Sequence, residues 1–171
     1  MILDAASVSR IVRLLATHSS AMERQDQKLR EIWQQRKIPV VYRQACSQPL
    51  LVCLPYAADN RAWLKDEHRN KPKWHPYHKY WETPKAWFED IIRRSLSRFG
   101  SAYVIQPYRE FQKCAPACWK AKGIDCECSC MGKNHGSGNP SGRWYIISDT
   151  CAVQWSGRQY SCRLIRATDE D

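Results

Sequence analysis

The sequence predicts an α+β fold, and three observations carry that expectation. Apolar residues recur on a helical period in the N-terminal stretch, short β-rich runs bounded by turn residues follow, and a cysteine-dense loop precedes a C-terminal hairpin. In detail the expectation is N-terminal helices, a small mixed or antiparallel sheet with two further helices, a metal-binding loop and a terminal hairpin. Residues 1–37 read as a helical segment, and residues 38–171 as an α+β domain with its metal loop at 113–136.

Val8, Ile11, Val12 and Leu15 form an i, i+3, i+4, i+7 stripe and predict the first helix. Ser20 and Glu23 have capping-box spacing, so a second helix starts there, with Met22, Leu29, Ile32 and Trp33 as its apolar stripe. Glu23, Arg24, Lys28 and Arg30 make its solvated face. From Ile38 the pattern turns to strands, at 38–42 and 49–56, with Ser47-Gln48 between them. Asp59-Asn60 can cap a short helix that runs to about Arg69 and buries Trp63 and Leu64. Lys73 to Trp81, around Pro76, reads as a hairpin.

The next helix has the clearest sequence boundaries. Thr83 is a good N-cap, Pro84 suits the first helical position, and Gly100 can take the left-handed conformation that ends a helix. Phe88, Ile91, Ile92, Leu96 and Phe99 form its buried stripe, and Arg93, Arg94 and Arg98 complement the helix dipole. Ser101–Gln106 is the strand that leads to the cysteine loop. Residues 136–142 are rich in Gly, Ser and Pro. Strands at 143–148, 152–155 and 158–165, with a Ser156-Gly157 turn, make the terminal hairpin.

At 171 residues with 43% hydrophobic residues, the chain is long enough for one domain with a moderate core. An acidic Asp4 stands where a signal peptide would carry positive charge. The longest apolar runs, such as Pro49 to Pro55, are far short of the ~20 residues of a membrane span. The expectation is therefore a cytoplasmic chain without a membrane partner, whose nine cysteines are thiols rather than disulfides.

Five of those thiols and one imidazole fall within 22 residues, spaced Cys114-x3-Cys118-x7-Cys126-x-Cys128-x-Cys130-x4-His135. Such a set of soft ligands predicts Zn²⁺, which takes four N/S donors tetrahedrally. Gly123, Gly132 and Gly136 permit tight turns, and Lys113, Lys120 and Lys122 offset thiolate charge. Cys114 and Cys118 form one pair, and the other comes from Cys126, Cys128, Cys130 and His135. Six donors exceed one tetrahedron, so a two-metal cluster or an iron–sulfur centre is an alternative. The alternating cysteines resemble the SWIM-type zinc motif, C-x-C followed by C-x-H, although four residues separate Cys130 from His135 here. Cys46, Cys53, Cys151 and Cys162 read as core residues of strands.

The net charge of +10 favours an acidic partner, either nucleic acid or an acidic protein surface. Residues 61–100 concentrate it, with ten Lys/Arg against five Asp/Glu and four of the eight tryptophans. Arg61, Lys65, Arg69, Lys71, Lys73, Lys79 and Lys85 can neutralise phosphates, and Tyr77 and Tyr80 can stack on unpaired bases. An exposed Trp can stack as well, with Trp74 and Trp81 as core residues of the hairpin the competing reading, and for Trp81 the core reading is the simpler. Leu54-Pro55-Tyr56, Leu64-Lys65, Lys73-Trp74-x-Pro76 and Lys79-x-Trp81-x-x-Pro84, followed by Phe88, Ile91 and Ile92, resemble the HARP domain over residues 50–98. The resemblance implies a module that recognises DNA structure beside an annealing-helicase motor. No G-x-x-x-x-G-K-[ST] phosphate loop accompanies it in this sequence.

Nothing in the sequence assembles a catalytic constellation. His68, His75 and His78 read as solvated, and the adjacent pairs Asp66-Glu67 and Glu89-Asp90 as surface carboxylates. Asn134-His135 is similar to the metal nucleases of the ββα type, but a Gly-rich stretch follows where those carry a helix. The expectation is thus a non-catalytic, zinc-containing accessory protein that binds nucleic acid, single-stranded or structured DNA above all. The alternative is an inhibitor or adaptor of the anti-defence or anti-CRISPR type, encoded by a phage or mobile element, that binds a host nucleoprotein complex.

Overall fold

The computed structural model describes residues 27–138, 145–155 and 158–168. The helix read at Val8 to Leu15 and the Ser20–Glu23 cap lie outside them. The second helix is present over residues 27–34 (α1), with Leu29 and Ile32 buried. It leads into a seven-stranded mixed sheet ordered β3-β4-β2-β1-β5-β7-β6. The strands are β1 (Val40–Arg43), β2 (Leu50–Cys53), β3 (Lys73–His75), β4 (Tyr80–Thr83), β5 (Ser101–Pro107), β6 (Tyr145–Trp155) and β7 (Arg158–Ala167). Among the described pairs β1 and β5 are parallel and all others antiparallel. The α+β class read from the sequence is the class observed.

Strand alternation sorts the core into two layers. Val41, Leu50, Val52, Ala102, Val104 and Ile165 face α2 (Asn60–Lys65) and α3 (Phe88–Phe99), where Leu64, Ile91, Ile92 and Leu96 meet them. Val40, Tyr42, Cys53, Ile105, Tyr160 and Cys162 point the other way and are covered by Leu29 and Ile32 of α1. The sheet is therefore buried on both faces, which is why β1 and β2 read as apolar runs.

Several boundaries differ from the sequence reading. Thr83 does not cap α3: it is the buried last residue of β4, paired with Leu50. Pro84 is extended, a 3-10 turn spans Lys85–Trp87, and α3 begins at Phe88. Ladder pairing takes precedence there over a favourable cap. Gly100 does end α3 in the left-handed region, with φ 73°. Asp59 makes no cap bond to α2, because its carboxylate pairs with Arg98 at 2.8 Å. α2 stops at Lys65, where Asp66 turns the chain with φ 41°. The two segments read at 143–148 and 152–155 form one strand, β6, with a bulge between Ile147 and Asp149. Cys46 is not a core residue but lies exposed in the β1–β2 turn with φ 60°. No helix among the described residues is long and apolar enough to cross a membrane.

The fold rests on α3 against the sheet, so shortening its central side chain should be costly. Ile91 is fully buried, and Ile91→Ala should destabilise the protein by about 2–5 kcal/mol. Urea unfolding checks this, with the midpoint expected to fall at an unchanged slope.

Candidate metal centre

Chain geometry between β5 and β6 gathers the six predicted donors into one place. After β5, the Arg109 and Ser129 amides donate to the Glu127 and Gln112 carbonyls, at 2.7 and 2.9 Å. These bonds lay the Cys126–Cys130 strip beside residues 109–112. A short helix, α4 (Pro116–Trp119), carries Cys118. Turns then fold 128–136 on itself: the amides of Met131, Lys133 and His135 donate to the carbonyls of Cys128, Cys130 and Gly132 at 2.9–3.1 Å. Gly136 and Gly138 return to α4, donating to the Cys118 and Trp119 carbonyls at 2.8 and 2.9 Å.

Four sulfurs, those of Cys114, Cys118, Cys128 and Cys130, lie within 4.8 Å of one another, a set that can hold a metal ion. A second group, Cys118, Cys126 and His135, shares Cys118 with the first. All six predicted donors are therefore brought together. The sulfur–sulfur contacts of 3.4–3.8 Å are non-bonded, and all nine cysteines are free. A tetrahedral ion with metal–sulfur bonds of about 2.3 Å separates its sulfurs by about 3.8 Å, so these contacts suit coordination.

The protonation states show why such a cluster favours a cation. Burial opposes ionisation of Cys130, but the Asn134 amide and the neighbouring thiols overcome it and bring this thiol to about 6. Burial and the surrounding sulfurs push Cys126 up to about 12 and raise Cys118 and Cys114. The thiols cannot all ionise beside one another unless a metal ion compensates their charge.

Beneath the loop lies a group that the motif search missed. Arg163 of β7 is fully buried, with its side chain on the same sheet face as Ile165. Its guanidinium donates to Gln106 Oε1 and, at 3.1 Å, to the Ile124 carbonyl. The Gln106 amide in turn donates to the Cys126 carbonyl at 2.7 Å. Burial pulls the Arg163 pKa down, while Tyr145, Cys126, Asp125 and Cys130 oppose that shift electrostatically. An arginine at a core-facing position of an alternating strand was the available signal. At the rim, Arg43 pairs with Asp125 and lies 3.9 Å from Glu127.

The predicted cationic face divides. Arg61 and Lys79 line an open cavity of about 520 Å³ together with Arg36, Tyr56, Trp74 and Trp81. The two indoles meet at 4.9 Å, and the Arg61 guanidinium lies 5.4 Å from the Trp81 ring. Tyr56 is 94%, Tyr77 88% and Trp74 38% exposed, whereas Trp81 packs on the core. Lys65, Arg69, Lys71 and Lys73 are exposed nearby in sequence, on α2 and the approach to the edge strand β3. Tyr80 is half-buried, its ring 6.1 Å from Trp33. Lys85 lies beyond the other end of β4 and donates to the Cys46 carbonyl. Two of the histidines are engaged rather than solvated. His68 stacks on Trp87 at 4.0 Å and reaches Asp90 at 3.1 Å, and His75 reaches Glu82 at 3.0 Å. The cavity was not legible as a site because Arg36, Tyr56 and Trp74 come from three separate segments.

Gly132 tests how tightly the loop is fitted. Its φ is +86°, and an added Cβ would lie 2.4 Å from Arg163 Nη1 and 2.9 Å from Ile147 Cδ1. Gly132→Ala should therefore destabilise by about 2 kcal/mol or more. Gly138→Ala, where the nearest atom is 3.5 Å away, should stay within about 0.5 kcal/mol. Thermal unfolding of both variants, with metal content measured alongside, checks the contrast. No protein-family model, curated protein or solved structure matches this chain, and its function is read from the geometry of these sites.

Proposed function

We propose that this protein is a non-catalytic accessory factor that binds nucleic acid through its aromatic, cationic cavity and holds zinc in its cysteine loop. The observation that carries the reading is the cavity. It offers the exposed ring of Trp74 beside Trp81 and Tyr56, with the cations of Arg36, Arg61 and Lys79 at the same mouth. Its volume of about 520 Å³ lies within the ~300–1,000 Å³ of ligand sites. A flat apolar surface ringed by positive charge suits a group that is planar and attached to an anion. An unpaired base on its phosphate chain has that chemistry, whereas a base in a duplex presents only its edge. Single-stranded or forked DNA is thus favoured over duplex.

Lys65, Arg69, Lys71 and Lys73 extend the positive surface beyond the cavity, and Tyr77 at the β3–β4 turn supplies a second exposed ring. Arg61 already covers one face of Trp81, so Trp74 is the ring left for a base. Tyr80 and Lys85 drop out of the interface, because the first packs near Trp33 and the second serves a backbone carbonyl. Zinc fits a donor set of five thiols and an imidazole better than a hard, oxygen-seeking cation does.

Fluorescence anisotropy with single-stranded, double-stranded and forked DNA, and with RNA, across a salt series tests the reading. Log K should fall linearly with log salt, and neutral replacements at Lys71, Lys73 and Lys79 should each flatten the slope by about one. Trp74→Ala combined with Tyr77→Ala should weaken single-strand binding roughly tenfold or more. Absence of binding to every nucleic acid at low salt would discard the proposal in favour of a protein partner.

A further inference from the structure

We propose that the cysteine loop holds two metal ions rather than one, in a single binuclear thiolate cluster that shares Cys118. The inference rests on the reading that these donors bind metal, and it deepens that reading by assigning the number of ions and the role of each donor. Two tetrahedral ions require eight bonds. Six donors supply seven when one thiolate is shared between the ions, and a water can take the eighth position.

The contacts identify which one is shared. Cys118 belongs to both donor groups, with the sulfurs of Cys128 and Cys130 at 3.7 and 3.8 Å and His135 Nδ1 at 3.3 Å. The Cys128 sulfur is the most central, with Cys114 at 3.6 Å, Cys126 at 3.5 Å and Cys130 at 3.4 Å. Cys118 alone belongs to both donor groups and is the common corner of two tetrahedra, with Cys126 and Cys130 adjoining across it at 3.5 Å. Cys114, Cys128 and Cys130 complete the first, and Cys126 and His135 join Cys118 on the second.

Burial and charge support the same count. Cys126 and His135, the donors left over by a single four-thiol site, are both buried. A lone dication on four thiolates would leave a buried thiol and a buried imidazole against its shell without a ligand role. It would also carry two negative charges, and three if Cys126 ionised as well. Two dications among five thiolates carry one net negative charge. The fully buried Arg163, electrostatically coupled to Cys126 and Cys130, supplies one positive charge beside them. Its Nε and Nη1 have no hydrogen-bond partner among the described residues, and no carboxylate forms an ion pair with it there. A singly negative cluster would add its charge to that of Asp125 near this buried guanidinium.

The test uses the reduced full chain. Elemental analysis and native mass spectrometry of the purified protein should give two zinc ions per chain. Cobalt titration of the apoprotein should give thiolate-to-cobalt absorption that rises to two equivalents. The high-spin cobalt resonance should grow up to the first equivalent and decline toward the second, because the shared thiolate couples the two spins. Cys126→Ser combined with His135→Asn should reduce the stoichiometry from two to one and abolish the decline. One ion in the wild-type chain, unchanged in the double variant, would overturn the cluster and leave a single-metal site standing. Iron with inorganic sulfide would also overturn it, and a chain without any metal would remove both readings. Should the double variant fail to fold, cobalt signals in the wild type that simply add would refute the bridge by themselves.

Discussion

From residue 108 to residue 138, Ile124 is the one buried aliphatic side chain among the described residues, and the other buried side chains there are Cys126, Cys128 and His135. A segment of this length has far too little apolar surface to offset the entropy of ordering its backbone. A cation held among the clustered donors would supply what the apolar surface lacks, and much of the structure is arranged around that constraint. Thiols packed at 3.4–3.8 Å repel once ionised, so the loop is a stable arrangement only when that charge is compensated.

The same constraint reaches into the sheet. Arg163 sits where alternation would place a core aliphatic, and it is held there by Gln106 and the Ile124 carbonyl. A buried guanidinium is costly when isolated and tolerable beside a compensating anion. The loop needs positive charge beneath it and Arg163 needs negative charge above it. Sheet and metal loop are thus coupled electrostatically as well as through Ile124, which joins the core formed by α3. Gly132 records how close the approach is, since no Cβ fits beside the guanidinium.

At the opposite edge of the sheet the constraint is apolar. Trp81 packs inward on the core that α2 and α3 cover, and outward it supports Trp74 of the edge strand β3. One residue thereby links fold stability to the floor of the cavity. The edge strand has only three residues, flanked by Pro72 and Pro76, and this limits pairing with another chain. Exposed rings at such an edge favour stacking over strand addition.

The sequence by itself determined the elements whose signals are local. The stripe of α3, the left-handed stop at Gly100, the turn-bounded strands and the cysteine spacing all depend on residues near one another in the chain. That locality made the six donors legible at once, since they fall within 22 residues. Where a local signal competed with a distant partner, the partner won. Thr83 pairs with Leu50 rather than capping a helix, and Asp59 reaches Arg98 rather than its own helix. Tyr80 is half-buried near Trp33 rather than fully exposed. Only the tertiary structure decided that Arg36, Tyr56 and Trp74 share a cavity, that Cys118 belongs to two donor groups, and that Arg163 lies under the loop. Each joins segments far apart in the chain, and neither spacing nor periodicity encodes which distant surfaces meet when a sheet buries both of its faces.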